Sequence, residues 1–137
     1  MRTTAIAFIL LFICLRVYCQ IPDTAPVVQV SKYKIIKGKA SFYSLNLHGT
    51  KTSTGETFDN NKMTAASNSF KMNTWVLVTN LSNDKTVIVR INDRMHPKMA
   101  KKGRVIDLSH AAAKKLGFLQ KGITKVEIEP IDKPKNK

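Results

Sequence analysis

The sequence predicts a mainly β protein, a closed barrel of short strands with one short helix. Three observations lead there. Apolar and polar residues alternate over several short segments, polar turn formers separate those segments, and a single stretch has a helical start and stop.

In chain order, residues 1–19 read as a secretory signal peptide. Arg2 supplies a basic start, and "AIAFILLFICL" is an apolar run too short to span a bilayer comfortably. Cleavage after Cys19 would leave Gln20 first. An outer-membrane lipoprotein acylated at Cys19 is the weaker alternative, because Arg16 and Tyr18 suit it poorly. No other segment could cross a membrane, so the chain is expected to be exported, to the periplasm or beyond. Both cysteines, Cys14 and Cys19, fall in the leader, so the rest must fold without disulfides or cysteine metal sites. Residues 20–33 carry Pro22 and Pro26 and no period, and are read as an extended lead-in. Residues 34–131 form the barrel, and "DKPKNK" (132–137) is a polar tail.

Within the barrel, "YKIIKGKASFYS" is a first strand region, interrupted at Gly38. "NTWVLVTNL" and "KTVIVRIND" are two strands joined by "SND", where Asn83 and Asp84 tolerate the positive φ of a tight hairpin. In the second of these, Val87, Val89 and Ile91 share one face and Ile88, Arg90 and Asn92 the other. "KVEIEPI" alternates again, with Val126 and Ile128 opposite Glu127 and Glu129. The helix lies in "DLSHAAAKKLG", capped by Ser109, with Lys114 and Lys115 in its last turn and Gly117 to end it.

The chain has 23 basic and 9 acidic residues, a formal charge of +14, and Arg90, Arg94 and Arg104 are its only arginines beyond the leader. Nucleic-acid readers use arginine for bidentate base contacts and aromatics for stacking. Neither forms a cluster here, so no nucleic-acid partner is expected. A lysine-coated exported domain suits an anionic polymer or surface such as a cell wall.

Two acids stand out. If the "VIVRINDR" strand keeps its pleat, Asp93 inherits the face of Val87, Val89 and Ile91, and Arg94 points away. Partial desolvation at an apolar barrel mouth would raise the Asp93 pKa, as a general acid requires. The simpler reading is a carboxylate capping a turn. Glu56 follows Gly55 in a loop whose Thr52, Ser53, Thr54 and Thr57 hydroxyls could bind sugar or order the loop itself. Asp59 reads as a turn former and Asp107 as a residue leading into the helix. His48, His96 and His110 match no metal motif, and no metal or other cofactor is expected. Tyr43, where the first strand breaks into the polar loop, is a better sugar contact than Trp75, which suits the core or rim.

Taken together, "GKASFYSLNLHGTKTSTGETFDNNKMTAAS", "VLVTNL", "VIVRINDR", "VIDLSHAAAKKLG" and "GITKVEIEP" resemble, in order and spacing, the rare lipoprotein A (RlpA)-like family over residues 38–130. The resemblance implies a six-stranded double-psi β-barrel, the fold of expansins, and an exported protein whose partner is the glycan strand of peptidoglycan. Active members are lytic transglycosylases. They cleave between N-acetylmuramic acid and N-acetylglucosamine and leave a 1,6-anhydro end, the sugar's own 6-hydroxyl replacing water. By the resemblance Asp93 is the catalytic acid and Glu56 a supporting acid, facing one cleft. Tyr43, Thr54, Gly55, Ser67, Asn92 and Arg94 are expected to contact substrate. Two departures stand out. Ser67 occupies the place of a family histidine, and "MHP" (95–97) replaces a "GPF"-like turn, putting His96 nearby. The SPOR wall-binding module of many relatives is not expected here. A non-catalytic, expansin-like glycan-binding barrel is the alternative.

Overall fold

A computed structural model describes residues 34–135; the expected leader, the lead-in and the last two residues of the tail lie outside them. Six strands close into a barrel: β1 (Ile36–Phe42), β2 (Thr64–Ala66), β3 (Trp75–Asn80), β4 (Thr86–Asp93), β5 (Arg104–Leu108) and β6 (Thr124–Ile131). Around the barrel the order is β1-β5-β2-β4-β3-β6. The pairs β1–β5 and β2–β4 are parallel, and the remaining four are antiparallel. Closure leaves no exposed sheet edge, which a disulfide-free barrel of short strands needs.

The alternation read from the sequence sets the core. Val76, Val78, Val87, Val89, Ile91, Val126 and Ile128 are buried, with Ile106 and Leu108 from β5. Burying each such side chain stabilises by roughly 1.5–3 kcal/mol, far more than any surface ion pair here can contribute. Asn80 closes the end of β3 with satisfied polar contacts. Its amide nitrogen donates to Leu116 O at 2.9 Å, and its oxygen accepts from Thr124 Oγ1 at 2.8 Å.

Gly38 does not interrupt β1. It lies within the strand, where an added Cβ would come within 2.4 Å of Val105 Cγ1. Of the two hairpin residues expected to take positive φ, only Asp84 does so. The expected helix is α2 (His110–Leu116), with Ser109 Oγ accepting from Ala112 N at 3.2 Å and Gly117 left-handed at φ 74°. A second short helix, α1 (Pro97–Lys101), was not expected. Pro97 opens it, and His96 Nδ1 caps it by accepting from Lys98 N at 3.2 Å. Asp107 does not lead into α2 but lies in β5, nearly buried, accepting from Ser41 Oγ and paired with Arg104.

Candidate active site

The site begins with a break in the pleat. Between β2 and β4 the register slips: Ala65 pairs with Ile91, but Ala66 pairs with Asp93, leaving Asn92 as the extra residue of a bulge. Ala65 and Ile91 share the core face. Ala66 faces the other way, and so does its partner Asp93. The expectation that Asp93 continues the Val87–Val89–Ile91 face is therefore corrected by the bulge. On the face it does occupy, a row runs across four strands, from Asp93 through Ala66 and Asp107 to Ser41. Two strand spacings put Asp93 and Asp107 backbones about 9–10 Å apart, with only the Ala66 methyl between.

Tyr43, just beyond β1, takes the Ser41 side and donates its hydroxyl to Asp93 Oδ2 at 2.7 Å. Its ring packs on Phe58 at a centroid distance of 4.3 Å. The other carboxylate oxygen is held by a hairpin. Lys51 and Thr57 bridge across it, and Thr52 N donates to Glu56 O at 2.9 Å. Gly55 turns the tip at φ 82°, where a side chain would meet backbone strain rather than a neighbour. At that tip Ser53 donates twice to Asp93 Oδ1, through N at 2.9 Å and Oγ at 2.6 Å. Arg94 N adds a third bond to the same oxygen at 2.8 Å.

These contacts decide the protonation state. Burial pushes the Asp93 carboxyl up, but the bonds from Ser53, Tyr43 and Arg94 together outweigh it and hold the carboxyl below its ordinary value. The expected upward shift is thus reversed in the free protein. Burial and the neighbouring Asp93 carboxylate push the Tyr43 phenol up, so it stays a donor.

Glu56 lies at the far side of the same hairpin. Arg90 clamps it through two bonds, Nη1 to Oε1 at 2.8 Å and Nη2 to Oε2 at 2.7 Å, and Asn92 Nδ2 approaches Oε2 at 3.4 Å. Hydrogen bonding from Arg90 holds the Glu56 carboxyl at about 2. The hairpin therefore brings Ser53, Thr54, Gly55 and Glu56 against the end of β4, where Asn92 and Asp93 stand. Thr54 shares a hydrogen bond with Thr52 at 2.9 Å. Asn92 is 3% exposed, and its buried oxygen has no hydrogen-bond partner.

Ser67 is brought near in the backbone but not in the side chain. Its amide donates to Asp93 O at 3.1 Å, yet its side chain is fully buried. Oγ donates to Val105 O at 2.8 Å and accepts from Ser69 N at 3.2 Å. Arg94 turns its guanidinium to the carbonyls of Ser67 and Phe70. His96 is occupied as the cap of α1, His48 accepts from Asn60 N at 3.2 Å, and His110 packs edge-on against Phe42. Trp75 is half-buried on β3, paired with Arg90 and Ile131. Sequence reasoning missed Ser53 as the anchor of Asp93 and Asp107 as its neighbour on the same face. The bulge that sets both contacts has no sequence mark.

The sequence model of the lytic transglycolase family matches residues 35–128. The endolytic peptidoglycan transglycosylase RlpA of Haemophilus influenzae is 46% identical over 106 residues, covering 77% of this chain and 36% of that protein. RlpA of Pseudomonas aeruginosa is 47% identical over 107 residues, covering 78% and 30%. The chain thus spans about a third of the length of the curated relatives it matches. Among solved structures, a mutant of the Clavibacter michiganensis expansin in complex with cellohexaose has a TM-score of 0.59 at 23% identity. The match covers 76% of this chain and 54% of that one, a likeness of fold.

Proposed function

The chain belongs to the lytic transglycolase family, and from that premise we propose that it is an exported peptidoglycan lytic transglycosylase. It cleaves the bond between N-acetylmuramic acid and N-acetylglucosamine and leaves a 1,6-anhydro end, with Asp93 as the general acid. The observation that carries this reading is the fixed Asp93 carboxylate, with Tyr43 on one oxygen and Ser53 and Arg94 on the other.

In its acid form Asp93 gives its proton to the glycosidic oxygen as the C–O bond breaks. The 6-hydroxyl of the muramic residue then forms the new bond to the anomeric carbon, and its proton passes to the Asp93 carboxylate. Atoms balance without water, so no second carboxylate is needed to hold one. The free carboxyl sits below its ordinary value, so the acid form is the minor one at neutral pH. A bound glycan that excludes water from Asp93 raises that fraction. Glu56, clamped by Arg90, stays ionised; it serves by holding the hairpin in place and by offering an acceptor to sugar hydroxyls. Tyr43, Thr54, Gly55 and Arg94 line the glycan path, with the buried Asn92 supporting it through Glu56 and Ser67 shaping it through its backbone.

A non-catalytic glycan-binding barrel is the second reading. It is favoured by one observation, that a buried serine stands where the resemblance implies a histidine. Mass spectrometry of intact and peptide-stripped peptidoglycan after incubation with the protein separates the two. New anhydro ends support the enzyme. Co-sedimentation without new ends means a binder, and new reducing ends without anhydro sugars mean a hydrolase.

A further inference from the structure

Where β1 and β6 pair, two lysines face each other without relief. β1 and β6 pair so that Lys39 lies directly opposite Lys125, whereas the neighbouring pair Lys37 and Glu127 forms an ion pair at 3.2 Å. Like charges placed opposite one another on a sheet oppose folding. Among the described residues, Lys39, Lys125 and nearby Lys121 have no ion-pair partner. Lys39 and Lys125 border two adjoining surface hollows, one reaching Leu81 and the other Lys121 and Ile123. Leu81 and Ile123 are 46% and 50% exposed, large aliphatic side chains standing among the lysines. Leu81 N donates to Lys125 O at 3.0 Å, which fixes the patch as one surface. Leu81 follows β3 beside the start of β4, and Asp93 ends β4, about 23 Å further along at strand spacing.

We propose that this face docks on an anionic phospholipid surface, with Lys39, Lys121 and Lys125 among the headgroups and Leu81 and Ile123 at the acyl boundary. Charge complementarity calls for an anionic partner. An anionic polymer would need only the lysines, whereas a bilayer interface takes cations and aliphatic side chains together. The proposal does not depend on the reaction at Asp93.

The test is co-sedimentation of the protein, recovered after export, with vesicles of phosphatidylcholine containing phosphatidylglycerol, and with phosphatidylcholine alone. Binding is expected only with the anionic lipid and should weaken as salt rises. Lys39→Glu reverses one charge and should lower the partition coefficient about 25-fold, taking about fivefold per unit of charge near the surface. The same change converts the Lys39–Lys125 repulsion into an opposite-charge pair, so thermal stability should hold or rise, and misfolding cannot explain the loss. Replacing Leu81 and Ile123 by Ser should weaken binding at constant charge. A charge-matched change at Lys71, outside the patch, should cost less than Lys39→Glu. Equal losses at Lys39 and Lys71 would overturn the proposal, as would indifference to the Leu81 and Ile123 changes, which would indicate attraction by charge alone.

Discussion

The Tyr43 hydroxyl donates to Asp93 Oδ2 across 2.7 Å, tying the end of β1 to the end of β4. The bond has two consequences. It adds to burial in keeping the phenol protonated, and it helps hold the carboxyl in its ionised form. Any reaction that needs the Asp93 proton works against it.

Tyr43→Phe should therefore ease that restraint. The ring keeps its packing on Phe58, so the urea-unfolding free energy at neutral pH should fall by no more than about 3 kcal/mol, the upper worth of a hydrogen bond to a charged group. The Asp93 pKa should rise, and the pH at which kcat/KM declines should move upward. A profile that stays in place would mean that Asp93 does not supply the proton.

The pH dependence has opposite signs for activity and for stability. Activity requires protonated Asp93, so kcat/KM should increase as pH falls from neutral toward about pH 5. Stability behaves otherwise, because Glu56 and Asp93 both have folded pKa values below their unfolded ones. Their contribution is complete above the ordinary carboxylate range and is lost as pH falls through the folded values, for Glu56 near 2. Urea unfolding across pH should show a plateau down to about pH 5 and a decline below it. Activity falling steadily from neutral to pH 5 would contradict the assignment.

Glu56→Gln should separate hairpin placement from proton transfer. The Arg90 clamp is partly exposed, so losing it should cost at most about 1 kcal/mol of stability. A loosened hairpin should nevertheless lower kcat/KM roughly tenfold, equivalent to about 1.4 kcal/mol. The pH profile should keep its position, since Ser53 still reaches Asp93 through its backbone. A shifted profile would indicate that Glu56 takes part in the proton transfer.

Ser67→Ala tests whether the hydroxyl matters to the fold or to the substrate. It strands Val105 O and Ser69 N, each otherwise satisfied by that hydroxyl. A loss of about 1–3 kcal/mol in unfolding free energy is expected. Activity per folded molecule should be unchanged, and a large loss at intact stability would place Ser67 at the substrate.

Four of the six strands were legible because their residues alternate. Val87, Val89 and Ile91 against Ile88 and Arg90 read as a half-buried strand, and they form one. β2 and β5 were not separable in this way. Thr64, Ala65 and Ala66 are all buried, so β2 has no polar face to mark a period. The caps at Ser109 and Gly117 announced α2, while α1 was hidden in a lysine-rich stretch whose signals were Pro97 and the left-handed Gly103. In the site, residue types pointed to Asp93 and Glu56. Their environments could not be read, because a bulge at Asn92 and a hairpin bond from Ser53 are products of pairing between distant segments.

The most direct measurement is the yield of 1,6-anhydro ends from purified peptidoglycan, by mass spectrometry, for the wild type beside Asp93→Asn. Asparagine keeps the shape of the side chain and an acceptor for Ser53 but has no carboxyl proton to give. The wild type should produce anhydro ends. The variant should bind the same glycan and produce them at least about a hundredfold more slowly. Anhydro ends forming at similar rates with both proteins would contradict the assignment of Asp93 as the acid.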